Sequence, residues 1–107
     1  MRVEIRGRNV KVSAALKAHV ERRLDFALDA FGDRVEGAVL RFSDSGDARV
    51  CELSLALRPS GSVRVRQTGE DPYAAVDLCA ERVSRAVARA IDRKRPRRAA
   101  TSKAKRE

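Results

Sequence analysis

A chain of 107 residues has room for one modest core and for no second module of ordinary size. Its net charge is +9, and residues 94–107 hold +6 of it, a balance that points to nucleic acid and, second to that, to an anionic membrane surface. Cys51 and Cys79 form no CxxC pair and His19 is the single histidine, which is too few soft ligands for a zinc site, and no apolar run of roughly 18 residues could span a bilayer. The start alternates in charge where a signal peptide would be apolar, so a cytoplasmic protein without metal or cofactor is expected.

Residues 2–6 alternate, with Val3 and Ile5 on one side and Arg2, Glu4 and Arg6 on the other, which predicts a half-buried strand ending at Gly7. Ser13 is placed to cap a helix over about 14–31, whose apolar stripe is Leu16, Val20, Leu24, Ala27, Leu28 and Phe31, with Gly32 as its stop. A second strand over 36–44 turns Ala38, Leu40 and Phe42 one way and Val39, Arg41 and Ser43 the other. The turn cluster Ser45-Gly46-Asp47 leads to a third strand over about 49–58, with Cys51, Leu53, Leu55 and Leu57 inward. Pro59-Ser60-Gly61 makes the next turn, and a fourth strand over 62–68 hides Val63 and Val65 while presenting Arg64 and Arg66. Asp71-Pro72 then reads as a cap followed by proline at the first helical position, opening a helix over about 72–94 that Pro96 ends.

The order is β-α-β-β-β-α. Strict alternation gives the sheet one apolar face, and two amphipathic helices are available to cover it. The expectation is an α+β two-layer sandwich: a four-stranded, mostly antiparallel sheet with both helices on one face, and the first strand parallel to its neighbour across the helical crossover. Residues 1–95 form the folded unit, and 96–107 form a basic tail expected to be disordered in isolation.

The last helix carries the charge pattern of greatest interest. Arg82, Arg85, Arg89 and Arg93 are spaced 3, 4 and 4 apart and therefore share one narrow stripe, opposite an apolar stripe of Val76, Cys79, Val83, Val87, Ala90 and Ile91. Taken alone this is equally an ordinary solvated face, and Glu81 is placed to pair with Arg85. However, the stripe runs on into Lys94 and Arg95, and Arg64 and Arg66 add charge from the strand before it. With three Phe, one Tyr and no Trp, base stacking has few platforms, so the pattern favours contact with the backbone and shape of folded RNA or a duplex. An enzyme reading lacks residues: His19 sits beside a core stripe and reads as a packing residue, and neither GxxxxGK[ST] nor GxGxxG occurs.

Particular words of the chain also match a family. Val3-Glu-Ile-Arg-Gly-Arg-Asn-Val10, the exit Phe31-Gly-Asp-Arg34, and above all Asp71-Pro-Tyr-Ala-Ala-Val-Asp77, in this element order, resemble the ribosome hibernation-promoting factors, also called ribosome-associated inhibitors or sigma-54 modulation proteins. The resemblance covers about residues 1–95. It implies a non-enzymatic protein of starved or stationary cells that sits in the mRNA–tRNA channel of the small ribosomal subunit and contacts rRNA, with neither a membrane nor a small-molecule substrate as partner. Arg82, Arg85, Arg89, Arg93 and Lys94 match the basic face of the family's second helix, which is often richer in lysine, and Arg23 matches a basic position of the first. Tyr73 matches the family's tyrosine and is placed either to pack on the sheet or to touch RNA. A second basic position about one turn after Arg23 is occupied here by Phe26 or its neighbours Asp25 and Ala27. Long members add a C-terminal domain that pairs two ribosomes; ending at Glu107, this chain is expected to be a short form. Two readings from other classes stand beside this one: a general double-stranded RNA or DNA binding module, and a protein-interaction regulator of transcription.

Overall fold

A computed structural model of the chain describes residues 1–46 and 48–93, so Asp47 and the predicted basic tail, with Lys94 and Arg95, lie outside the described residues. The strands are β1 (Arg2–Arg8), β2 (Val35–Ser45), β3 (Ala48–Leu57) and β4 (Ser62–Gly69); the helices are α1 (Ala14–Leu28) and α2 (Pro72–Arg93). They form one mixed sheet in the order β1-β2-β3-β4, parallel between β1 and β2 and antiparallel elsewhere. The architecture is the α+β sandwich the alternation predicts.

Register explains the core. Ile5, Leu40, Leu53 and Val65 stand side by side across all four strands, as do Val3, Ala38, Leu55 and Val63. Because successive side chains of a strand point to opposite faces, these rows all meet the helices. Leu16, Val20, Leu24 and Leu28 of α1, and Val76, Cys79, Val83 and Val87 of α2, close over them. Both caps are in place: Leu16 N–H donates to Ser13 Oγ at 3.1 Å, and Ala74 N–H to Asp71 Oδ1 at 2.9 Å.

The structure departs from expectation at two element ends. β1 continues through Gly7 to Arg8, because its pairing with β2 continues as far as Ser43. Gly7 is required there, since a Cβ would collide with the Val10 carbonyl. The first helix is α-helical only to Leu28; its last stretch tightens into a 3-10 turn, Asp29–Arg34, in which Gly32 takes φ 52°. Phe31 is accordingly a half-buried lid on the core, while Phe42 is fully inside it.

Gly69 and the start of α2 approach closely. A Cβ on Gly69 would lie 2.7 Å from the Ala75 amide nitrogen and 3.1 Å from the Ala74 carbonyl carbon. Backbone atoms cannot swing aside as a side chain can. Gly69→Ala is therefore expected to cost about 1–3 kcal/mol, as overpacking does, read as a lower midpoint of urea unfolding; an unchanged midpoint would show that the helix start gives way freely.

The two cysteines do approach each other: Cys79 Sγ donates to the Cys51 carbonyl at 3.3 Å, and both residues are buried. The Cys51 thiol is pushed well above its ordinary range by the Cys79 sulfur and by burial; the same contact pulls Cys79 down, against the effect of its own burial. Neither thiol is exposed to reagent. Iodoacetamide is expected to leave the native protein unmodified and to label both residues in denaturant, as read by mass; rapid native labelling would reveal local opening of β3 or α2.

Candidate nucleic-acid interface

The cap at Asp71 and Pro72 at the first helical position set where α2 begins, and its apolar residues set how it is rotated about its axis. With Val76, Cys79, Val83 and Val87 turned to the sheet, Arg82, Arg85 and Arg89 fall on the flank that looks toward β4. β4 is the last strand of the sheet, so its outer edge has no strand partner among the described residues. Consecutive residues 64–67 line a groove of about 310 Å³ together with Arg82, Arg85 and Arg89, so the groove follows that open edge. Arg64 and Arg66 make one wall and three helix arginines the other.

Among the described residues, no carboxylate lines this groove and no ion pair engages any of its five guanidinium groups. Glu81, expected to neutralise Arg85, makes no ion pair with it. All five arginines are exposed. Arginine stays protonated at any physiological pH and presents a planar fork of donors that matches phosphate. Five such groups around one concave strip focus a positive potential there. Arg93 continues the row one turn further along α2, exposed, and the positions of Lys94 and Arg95 fall outside the described residues.

Arg23 and Tyr73 are elsewhere. Tyr73 and Arg82 are nine residues apart, two and a half turns, so they emerge on opposite sides of α2. Tyr73 instead meets the His19 ring of α1 edge-on, with centroids 5.1 Å apart. His19 Nε2 is hydrogen-bonded to Asp77 Oδ1 at 2.8 Å, which makes this histidine a packing residue as its position suggested. Arg23 Nε lies 3.1 Å from the same oxygen, an ion pair whose N–H does not point along the line of a hydrogen bond. One carboxylate thus fastens two side chains of α1 to α2. Tyr73 packs on α1 rather than on the sheet and keeps 39% of its surface exposed.

Asp77 was not foreseen as part of any constellation. The spacing that could have flagged it is the pair of i, i+4 steps, His19 to Arg23 and Tyr73 to Asp77, each putting two polar groups on one helix face; which faces meet is decided only by tertiary packing. Phe26 is 83% exposed on α1, an aromatic side chain standing in water where a basic one was looked for. No group of His, Cys, Asp and Glu among the described residues is arranged to hold a metal ion, and no helix there is long and apolar enough to cross a membrane.

Comparison with known proteins gives this geometry a context. A family profile described as sigma 54 modulation protein / S30EA ribosomal protein matches residues 3–95. Among solved structures, the chain is similar to a ribosomal subunit interface protein from Coxiella burnetii, with TM-score 0.79 and 18% identity over 86% of this chain and 99% of that one, a likeness of fold. It is also similar to the N-terminal domain of Thermus thermophilus Protein Y, with TM-score 0.73 and 32% identity over 83% of this chain and 98% of that one. No curated protein sequence matches.

Proposed function

This chain belongs to the sigma 54 modulation protein / S30EA ribosomal protein family, and on that premise we propose that it is a non-enzymatic, ribosome-associated translation inhibitor of the cytoplasm. The observation that carries the reading is the groove in which β4 and α2 bring five arginines together with neither a lining carboxylate nor an ion-pair partner among the described residues. Phosphate oxygens of rRNA are its natural ligands, because contacts of this kind fix position without reading sequence. Arg64, Arg66, Arg82, Arg85 and Arg89 hold the backbone, Arg93 extends the contact, and the Asp77 clamp keeps the helix layer stiff behind them. Arg23 and Tyr73 serve that clamp first and reach RNA only with what they leave exposed. The site of action is the mRNA–tRNA channel of the small subunit, and the mechanism is occlusion: a rigid body in that channel excludes mRNA and tRNA by volume and by competing for the same phosphates.

The test is co-sedimentation of the full chain with purified small subunits, empty or preloaded with mRNA and tRNA. Binding to empty subunits and exclusion from loaded ones are expected. Equal binding to both would remove the channel as the site, and an equal affinity per site for free duplex RNA would make the protein a general duplex binder.

A further inference from the structure

The helices cover one face of the sheet and leave the other open, and the register brings together on that open face residues far apart in the chain. Arg6, Arg41, Glu52 and Arg66 stand in one row across all four strands. Arg8, Ser43, Val50 and Thr68 form the next row, while Arg64 lies in the row on the other side. Arg2, Arg6, Arg8, Arg41, Arg64 and Arg66 therefore share a face whose acids, among the described residues, are Glu4 and Glu52, with Glu36 at its β2 end. Glu4 engages Arg6, whereas Arg8, Arg41, Arg64 and Arg66 have no ion-pair partner among the described residues. Strands are spaced about 4.8 Å apart, so the row from β1 to β4 spans roughly 14 Å.

The chemistry of this face selects its occupant. Most of its uncharged positions are small or polar, among them Gly37, Ser43, Ser54, Ala56, Ser62 and Thr68; of its two valines, Val50 is buried and Val39 half-buried. Of the exposed large apolar residues, Phe26, Tyr73 and Leu78 are on helices, and Met1, just before β1, stands at the rim of this face. A membrane-binding surface needs apolar anchors, and a protein interface a desolvated apolar centre; a buried Val50, a half-buried Val39 and one methionine at the rim fall short of either. A flat field of forked cations with small residues between them suits a phosphate backbone laid across the strands. Arg64 and Arg66 stand both on this face and on the wall of the α2 groove, so the two basic surfaces join around the β4 edge.

We propose that the open sheet face is a second RNA-binding surface, with Arg8 and Arg41 as its own contacts, so that the domain is wedged between two segments of ribosomal RNA. This rests on the ribosomal function proposed above. The test is hydroxyl-radical footprinting of small-subunit RNA saturated with the full chain, together with affinity measured against salt. Wild type is expected to protect two separate backbone segments. R8Q/R41Q is expected to lose one segment and keep the other, and R8K/R41K, which keeps the charge, to retain both. Two phosphate contacts change the salt slope by about 1.4–1.8, so raising salt from about 50 to about 200 mM should weaken wild type about 7- to 12-fold more than R8Q/R41Q. Should the double change lower the thermal midpoint, R41Q alone carries the comparison at about half that slope change. A footprint and salt slope unaltered by R8Q/R41Q, yet erased by R85E/R89E, overturns the sheet-face proposal and leaves the ribosomal reading standing. Absence of any protection by wild type overturns the ribosomal reading itself. Arg41-dependent binding to vesicles of anionic lipid, with no change in the RNA footprint, would assign the face to a membrane and overturn the proposal.

Discussion

Replacing Arg85 and Arg89 with glutamate is expected to abolish co-sedimentation with the small subunit while leaving the fold intact. Both side chains are exposed and have no ion-pair partner among the described residues, so no buried partner there is orphaned by the change. Glutamate is also a good helix former, and a like-charge step such as Glu81 to position 85 costs only a few tenths of a kcal/mol. The groove changes far more: three arginines remain and two carboxylates join them, in a strip where no described residue places a carboxylate in wild type. In wild type, the five phosphate contacts of the groove alone contribute a salt slope of about −3.5 to −4.5, that is, a loss of roughly 100- to 500-fold in affinity between about 50 and 200 mM salt. The double variant should show no measurable binding at the upper salt, with a thermal midpoint close to wild type. Retained binding at that salt would mean that the groove is not where RNA is held.

Phe42→Ala is expected to be the most damaging single substitution in the sheet. Phe42 is 1% exposed, and its neighbours in register are Gly7 on β1 and Cys51 on β3. One has no side chain and the other a small one, so the ring fills space that neither neighbour can take over. Removing it leaves a cavity that collapses poorly, for which about 3–5 kcal/mol is the usual loss. That is a large share of the roughly 5–15 kcal/mol that holds a domain together. At about 4–8 °C per kcal/mol for a domain of this size, the thermal midpoint should fall by more than about 10 °C. Phe42→Leu, which keeps most of the volume, should fall by much less. Similar small losses for both would show that the β1–β2–β3 centre repacks around the gap.

Much of this was legible before any coordinates. Period-two alternation assigned Leu40, Leu53 and Val65 to one face, and the structure sets them side by side. Ser13 and Asp71 announced their helices because a side-chain oxygen beside free backbone N–H groups has one use there. The helix arginines were visible as a stripe for the same geometric reason. The groove itself was not, because it depends on β4 being an edge and on α2 presenting a flank to that edge. The extension of β1 past Gly7 was hidden because local sequence marked a break where cross-strand pairing carried the strand on. Asp77 was hidden because one carboxylate holding His19 and Arg23 is a fact of two helices meeting. The arginine row across the open sheet face needed the register, which neither Arg6 nor Arg41 discloses alone.

The five guanidinium groups that crowd the β4 edge have a cost when nothing lies between them. Like charges held close favour chain expansion, so the empty domain is held in its compact state against its own repulsion. An anion that settles there relieves the repulsion and adds the stabilisation that any ligand selective for the native state provides. Occupancy and resistance to heat or protease thus become one measurable quantity. A copy of this protein should be hardest to digest while seated on its polyanion and easiest to clear once released.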